Sequence, residues 1–343
     1  MTIARRLIIV ATWGYLAVVI LYWLALWSIG ERWWLTTVAL YLPHAVALAP
    51  ALPLALLLGT VGPRRFIPVP VVAVLVIVFP IMGLVVCGGA EDPSGTPRLR
   101  VLSYNVDSGR RSIPQLAAQV VGVRPDIVLL QEGDQQVGDQ VTALLPDFVR
   151  HSSGQFYLAS RWPIVDVYEP PKVVVRGVDR TPRFIRYTLD TPLGLLDVFN
   201  VHPASPRDGF ESIRGTGLQG EVESGGIFAA DRDALVHNTE LRRAQAATIA
   251  SRARLSQHPV ILAGDTNLPE TRAILADTLG HVQDGFDEVG RGFGYTFPAH
   301  TRFAWMRIDR IFAGSKLRFL QFGVGARRGS DHYCVWADLE LRR

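Results

Sequence analysis

The sequence predicts an α/β domain of mixed strand and helix order, carried behind three membrane helices. Three observations predict it. Residues 7–29, about 34–58 and 66–87 are almost uncharged apolar runs, each near or above the roughly 20 residues that cross a bilayer core. From Leu99 onward, short apolar strands are interspersed with helix-like stretches. Several strands end on a polar side chain, most sharply Val260–Ala263, which Gly264 closes just before Asp265 and Asn267.

The first apolar run is too long for a signal-peptide core, lacks a small-residue cleavage site and is followed by two more runs, so a removable leader is not expected. Pro43, Pro50 and Pro53 predict a kink in the second run, with a hydrophobic hairpin as the alternative. Arg5 and Arg6 precede the first run and Arg64 and Arg65 separate the second from the third, whereas Glu31, Arg32, Glu91 and Asp92 flank the other ends. The positive-inside rule therefore places the amino terminus in the cytoplasm of a multi-pass cell-membrane protein. Three crossings put the remainder outside the cytoplasm.

The chain has 35 basic and 31 acidic residues, but residues 1–89 hold five Arg and one Glu, leaving 30 of each sign for the rest. The soluble part is neutral overall, which does not resemble the basic footprint of a duplex nucleic-acid binder. Local basic pairs remain at Arg207 with Arg214 and Arg327 with Arg328. Cys87 ends an apolar run and Cys334 lies in an expected strand, so no disulfide is predicted between them, and Cys334 reads as a small core hydrophobe.

Membrane helices are expected in residues 1–88, a linker at 89–98, and a catalytic domain over 99–343. The linker is polar and rich in Gly and Pro. Leu99–Val106 reads as a strand ending at Asn105, followed by a helix over Ile113–Val123 and a strand Ile127–Leu130 delivering Gln131 and Glu132. Further strands are expected at Phe156–Ser160, Ile164–Tyr168, Arg183–Leu189 and Leu195–Val201, the last leading to His202. Residues 203–232 carry six Gly without a period and read as a functional loop beside the site. A helix is expected over Ala234–Leu255, with an inward stripe of Leu235, Leu241, Ala244, Ala247, Thr248 and Leu255. After the stretch around Asp265 come a short helix and a Tyr295–Phe297 segment, then strands Met306–Ala313, Leu317–Val324 and Tyr333–Leu341. Asp309 lies in the first of these strands, and Ser330, Asp331 and His332 precede the last.

Polar residues thus recur at strand ends: Asn105, Glu132, His202, Asp265, Asn267, Asp309, Asp331 and His332. Eight such coincidences point to one convergent site on the rim of a sheet. Their chemistry is that of hard-cation binding, with oxygen donors suited to Mg²⁺ or Mn²⁺. A zinc cage is excluded, because the soluble part has one Cys and its His residues lack close ligand spacing. Asp265 and Asn267, two apart, share a face if the strand geometry continues beyond Gly264; a helix cap is the alternative.

The motifs Leu-Ser-Tyr-Asn105, Leu-Leu-Gln-Glu132, Ala-Ser-Arg-Trp-Pro-Ile at 159–164, Asn-Val-His202, Ala-Gly-Asp265-Thr-Asn267, Arg-Ile-Asp309-Arg-Ile and Gly-Ser-Asp331-His332 follow in order. Together they resemble the endonuclease/exonuclease/phosphatase superfamily, the deoxyribonuclease-I-like fold, over residues 99–341. With the apolar runs, the chain looks like its membrane-anchored bacterial members. The resemblance implies a four-layer α/β (α+β) sandwich, two packed β-sheets flanked by helices. It implies Glu132 as the principal metal-binding carboxylate with Asn105 and Asp331 supporting it, and Asp265 as the residue that positions or deprotonates water. Asn267 and His202 would face phosphate, and Asp309 would orient His332. The base, Asp265 or His332, stays open. Arg310 stands where many relatives carry an aromatic, a departure expected to touch substrate choice.

The expected activity is Mg²⁺- or Mn²⁺-dependent hydrolysis of a phosphate ester by in-line attack of water. The substrate is a lipid, a small molecule or a nucleic acid, and no protein partner is implied. Two alternatives stand beside it: an extracytoplasmic nuclease, and a catalytically silent membrane receptor or scaffold on the same fold.

Overall fold

Uncharged apolar sequence forms the first helices, because a helix satisfies its own backbone polar groups. In the computed structural model, which describes residues 2–86, 88–89, 97–175, 178–206, 229–269, 272–326 and 329–342, the chain divides into two compact units. The first holds Met1–Val86 and the second nearly all of the rest. α1 (Ile3–Ser28) is long and apolar enough to cross a membrane, as is Arg64–Ile81. The second run, in which the prolines predicted a kink, is a broken pair, Trp34–Leu40 and His44–Thr60, bent by 89° and containing α2 (Trp34–Leu40) and α3 (Ala51–Thr60). The break falls where Pro43 is extended and has no N–H to continue the helix. The unit therefore has two full-length apolar helices, or three spans if the bent pair counts as one. α4 (Pro68–Val76) continues into a π-helical turn that ends at Ile81, short of the expected residue 87.

The second unit starts with β1 (Arg98–Asn105), α5 (Ile113–Val123), β2 (Ile127–Gln131), α6 (Gln135–Val141), β3 (Val149–Ser153), β4 (Phe156–Ser160) and β5 (Ile164–Tyr168). The small hairpin β6 (Val174–Val175) and β7 (Val178–Asp179) precedes β8 (Phe184–Thr191), β9 (Gly194–Val201) and the long helix α7 (Ala229–Arg254). β10 (Val260–Asp265), α8 (Arg272–Leu279), β11 (Gln283–Asp284), α9 (Gly285–Val289), β12 (Asp309–Ala313), β13 (Leu317–Val324) and β14 (Val335–Leu341) complete it. One sheet runs β13-β14-β1-β2-β4-β3 and the other β11-β12-β10-β9-β8-β5. Each has a parallel pair near its centre, β1 with β2 and β9 with β10, flanked by antiparallel neighbours.

Alternation along the strands builds four layers. Leu99, Val101, Ile127 and Leu129 of one sheet share a buried core with Val198, Ile261, Ala263 and Ile311 of the other. The opposite face of the first sheet buries Leu102, Tyr104, Val128 and Leu130 against Leu116 and Val120 of α5. That of the second buries Phe199, Leu262 and Phe312 against Ile249, Ala250 and Ala253 of α7. The fold is thus the expected sandwich of two sheets between helices.

The same alternation aims the polar residues. Asn105 continues the inter-sheet row of Leu99 and Val101, Asp265 that of Ile261 and Ala263, and Asp309 that of Ile311. Gly264 lets β10 lie close to β9, since a Cβ there would stand 1.8 Å from the Val201 carbonyl oxygen. His202 and Asp265 are thereby drawn together.

Several expected bounds shift. β12 starts at Asp309 rather than Met306, and β14 at Val335 rather than Tyr333. The edge strand β3 was not expected, since Val149–Ser153 has little apolar patterning. α7 buries a different face from the expected stripe. Leu235 points inward, but Ala244, Ala247 and Leu255 are exposed, while Asn238, Thr239, Arg242 and Gln245 are buried. Cys334 is a buried free thiol, as expected. Most of the linker, most of the Gly-rich loop and the basic residues Arg207, Arg214, Arg327 and Arg328 lie outside the described residues.

Candidate active site

Asp265 ends β10 directly opposite Asp309 on β12, and both carboxylates are buried. Oδ2 of Asp265 accepts a hydrogen bond from Asn105 Nδ2 (3.1 Å) and lies 3.5 Å from His202 Nε2 and 3.7 Å from His332 Nε2. Asp309 Oδ2 is 2.8 Å from His332 Nδ1, so the other ring nitrogen faces Asp265. Ser330 fixes the approach of His332: its hydroxyl donates to the Asn105 carbonyl (2.7 Å) and accepts from the His332 backbone N–H (3.1 Å). The Phe297 ring closes the far side, 4.8 Å from the imidazole centroid.

The charges follow from these contacts. Burial pushes the Asp265 carboxyl up, but His332 and His202 beside it outweigh burial and hold it down at about 2. Burial opposes charge on His332, yet Asp309 and Asp265 raise it to about 10. Burial also pushes Asp309 up, so it competes with His332 for one proton. We place that proton on His332, because two carboxylates face the ring.

His202, the residue after β9, is oriented by Gln155, whose Oε1 accepts from Nδ1 at 2.8 Å. Its Nε2 then stands between Asp265 and Glu132 Oε1, 3.6 Å from the latter. Asn105 Nδ2 also donates to Glu132 Oε1 (2.9 Å), so Asn105 bridges the two carboxylates. Glu132 adopts φ 53° in the turn after β2. Its side chain is 36% exposed, and Oε2 accepts no hydrogen bond from a described residue.

Asn267 departs from the extended geometry considered for it. With φ 53° it turns back, its N–H donating to Asp265 Oδ1 (2.9 Å) and its Nδ2 to the Pro203 carbonyl (3.1 Å). Asn tolerates this left-handed conformation, which ends the strand after Asp265. Arg310 also corrects an expectation. Alternation turns it away from Asp309 to bond Asp284 Oδ2 (2.7 Å), where Arg307 also binds, so it lies outside the constellation.

Asp107 is a residue that sequence reasoning passed over. It follows Asn105 by two, at φ 48°, and its N–H donates to Asn105 Oδ1 (3.1 Å). Burial and the negative charges of Asp331 and Glu132 push its carboxyl up, while Arg110 and Arg111, each 3.5 Å away, pull it down. An acidic residue two positions after Asn105 was the available signal. Gln155 and Arg242 left no comparable trace.

The sequence profile of the Endonuclease/Exonuclease/phosphatase family matches residues 102–332. The chain belongs to this family. Members of the endonuclease/exonuclease/phosphatase family are divalent-metal-dependent phosphoester hydrolases. Among solved structures, a humanized D. rerio TDP2 is 17% identical with a TM-score of 0.52, covering 71% of this chain and 99% of that one. A family protein from Bacteroides thetaiotaomicron is 20% identical with a TM-score of 0.51, covering 72% and 99%. One from Bacteroides vulgatus is 16% identical with a TM-score of 0.50, covering 72% and 100%. At these identities the likeness is one of fold. No curated protein matches the sequence.

Two clusters offer atoms to the family's metal. Asp265, Asp309 and His332 place ligand atoms within 4.8 Å of one another, but a protonated imidazole has no lone pair to give. Asn105, Asp107, Glu132 and Asp331 make a second group. Its donors are oxygens, Asp331 and Glu132 raise the Asp107 carboxyl, and one Glu132 oxygen has no described partner.

Proposed function

We propose that the protein is a membrane-anchored phosphoesterase in which Asp265 directs water at phosphorus. The observation that carries this reading is the seating of one buried carboxylate oxygen of Asp265 between two imidazoles and the Asn105 amide. His332, charged below about pH 10, cannot accept a proton at neutral pH. Asp265, ionised above about pH 2, can. These charges support Asp265 over His332 as the base: Asp265 orients the water and takes its proton as the new P–O bond forms and the ester P–O bond opposite it breaks. His332 and His202 face the phosphoryl oxygens and stabilise the charge that builds there, and Asp309 holds His332 in place. Asn267 faces phosphate in this reading, held in place by its amide bond to the Pro203 carbonyl. Glu132 and Asp107, with Asn105 and Asp331, hold a divalent cation, Mg²⁺ or Mn²⁺, which when bound offsets phosphoryl charge.

In this reading residues 1–88 are the membrane region, 89–98 the linker and 99–343 the catalytic domain, with the amino terminus cytoplasmic and the site outside. Charge balance supports a lipid or small-molecule ester over duplex nucleic acid, since 30 basic residues face 30 acidic ones after residue 89. A silent scaffold would have no use for a charged His332 beside a buried, ionised Asp265. The test is hydrolysis by the full chain in detergent, against a panel of phospholipid, sugar-phosphate and oligonucleotide esters, with and without chelator. Metal-dependent turnover of one ester class is expected. Turnover undiminished in excess chelator contradicts the reading.

A further inference from the structure

Between Leu235 and Ala246 the inward face of α7 is polar, where a packed helix is ordinarily apolar. Asn238, Arg242 and Gln245 lie at spacings of four and three, hence on one face, and all are buried, Arg242 completely. Each reaches a different point of backbone behind the site. Asn238 Nδ2 donates to the Ser205 carbonyl (2.9 Å), and Gln245 Oε1 accepts from the Ala204 N–H (2.8 Å) while its Nε2 donates to the Thr181 carbonyl (2.8 Å). Arg242 Nη1 donates to the Asn267 carbonyl (3.3 Å). Ala204 and Ser205 closely follow His202, and Asn267 closely follows Asp265. One helix face therefore ties down the two chain segments that leave the site.

Arg242 is itself held by its neighbours, Nε donating to Asn238 Oδ1 (3.0 Å) and Nη2 to Thr239 Oγ1 (3.2 Å). Burying a guanidinium is unfavourable compared with burying an apolar side chain of similar volume. An apolar residue would fill the space, but it could not donate to a carbonyl. That carbonyl belongs to Asn267, whose N–H in turn bonds Asp265 Oδ1. The bonds run in series from Arg242 to the Asn267 carbonyl, and from the Asn267 N–H to the Asp265 carboxylate. They fix the carboxylate so that Oδ2, the other oxygen, faces Asn105, His202 and His332.

We infer that Arg242 is a positioning residue, which sets the carboxylate of Asp265 by gripping the left-handed turn at Asn267, with Asn238 and Gln245 holding the His202 segment in the same way. This inference rests on the reading of Asp265 given above. It concerns geometry at the reacting centre, where a misplacement of 1 Å costs about 100-fold in rate.

The experiment compares wild type, Arg242→Met, Arg242→Ala and Arg242→Lys as full chains in detergent. Bis(p-nitrophenyl) phosphate with Mg²⁺ is the probe, and kcat is expressed per folded molecule from circular dichroism and thermal unfolding. Arg242→Met is expected to lower kcat about 100-fold with little change in KM, and in Arg242→Ala, which leaves the space open, millimolar guanidinium is expected to restore part of the loss. Arg242→Lys keeps a charge without the planar fork and should fall between; if the Met variant does not fold, the Lys variant supplies the kcat reading. A kcat per folded molecule close to wild type overturns the inference. So does a loss in Arg242→Ala that guanidinium leaves untouched, which marks distortion of α7 rather than a missing donor. Asp265→Ala is the control. If that variant hydrolyses the probe normally, the reading of the site fails; if it is inactive while the Arg242 variants match wild type, this inference alone fails.

Discussion

The two halves of the site solve the same electrostatic problem differently. Around Asp265, buried carboxylates are matched from within: His332 bonds Asp309 at 2.8 Å and lies 3.7 Å from Asp265, and His202 adds a second ring at 3.5 Å. A few ångströms away, burial and the charges of Asp331 and Glu132 raise the Asp107 carboxyl, with Arg110 and Arg111 in partial compensation. The first half matches its carboxylates with imidazoles, and the second gathers carboxylates beside Asn105. Asn105 joins them, donating through one amide nitrogen to a carboxylate of each. In the proposed reading such a site would bring its own imidazolium to the water side and take its cation from solution on the other.

The largest effect should come from the first half. His332→Ala removes the charge facing phosphate and leaves Asp265 and Asp309 buried side by side. Activity should fall by about 1,000-fold or more, the upper range for a lost electrostatic stabiliser, read as kcat on a generic phosphodiester with folding checked by circular dichroism. A milder variant, Asp309→Asn, keeps the ring but removes the acid that orients and charges it. A loss of about 100-fold is expected, within the range for a displaced acid-base partner.

The same pair gives a pH signature. His332 is raised from 6.5 to about 10, so its ion pair stabilises the fold fully below pH 6.5 and ceases to do so as pH rises through about 10. The stability difference between wild type and Asp309→Asn, measured by denaturant titration in chelator, should therefore shrink across that interval. A difference independent of pH contradicts the pairing.

The second half should respond in the opposite sense. Asp107→Asn removes a carboxylate that Asp331 and Glu132 repel. In chelator the variant should be slightly more stable than wild type, by up to about 0.5 kcal/mol for a surface-level charge change, with metal affinity lowered about tenfold or more, the range for altered ligand surroundings. Thermal unfolding with and without Mg²⁺ separates the two effects.

What could be read in the sequence was whatever one residue announces by its place on a strand. Asp265, Asp309 and Asn105 continue apolar rows that alternate towards one face, so chain order and period sufficed. Glu132 and Asn267 were legible as positions but not as conformations, because their positive φ angles depend on turns that tertiary contacts hold. Arg242 and Gln245 resembled ordinary surface residues of a polar helix, since burial of such residues is decided by the loops that cross above them. Arg310, noted as standing where many relatives carry an aromatic, is turned by alternation to Asp284. The kink in the second apolar run was legible from its prolines, and the helix breaks at Pro43.

The division of labour between the halves rests on where the cation binds. Asp265, Asp309 and His332 also bring their ligand atoms within 4.8 Å, and Asp309 Oδ1 is buried without a described hydrogen-bond partner, so this trio is the rival position. Calorimetric titration of Mn²⁺ into the full chain in detergent, for wild type, Glu132→Gln and Asp309→Asn, decides between them. Binding should be lost or strongly weakened in Glu132→Gln and stay near wild type in Asp309→Asn. Binding that survives in Glu132→Gln and disappears in Asp309→Asn would place the metal among Asp265, Asp309 and His332, and contradict the account.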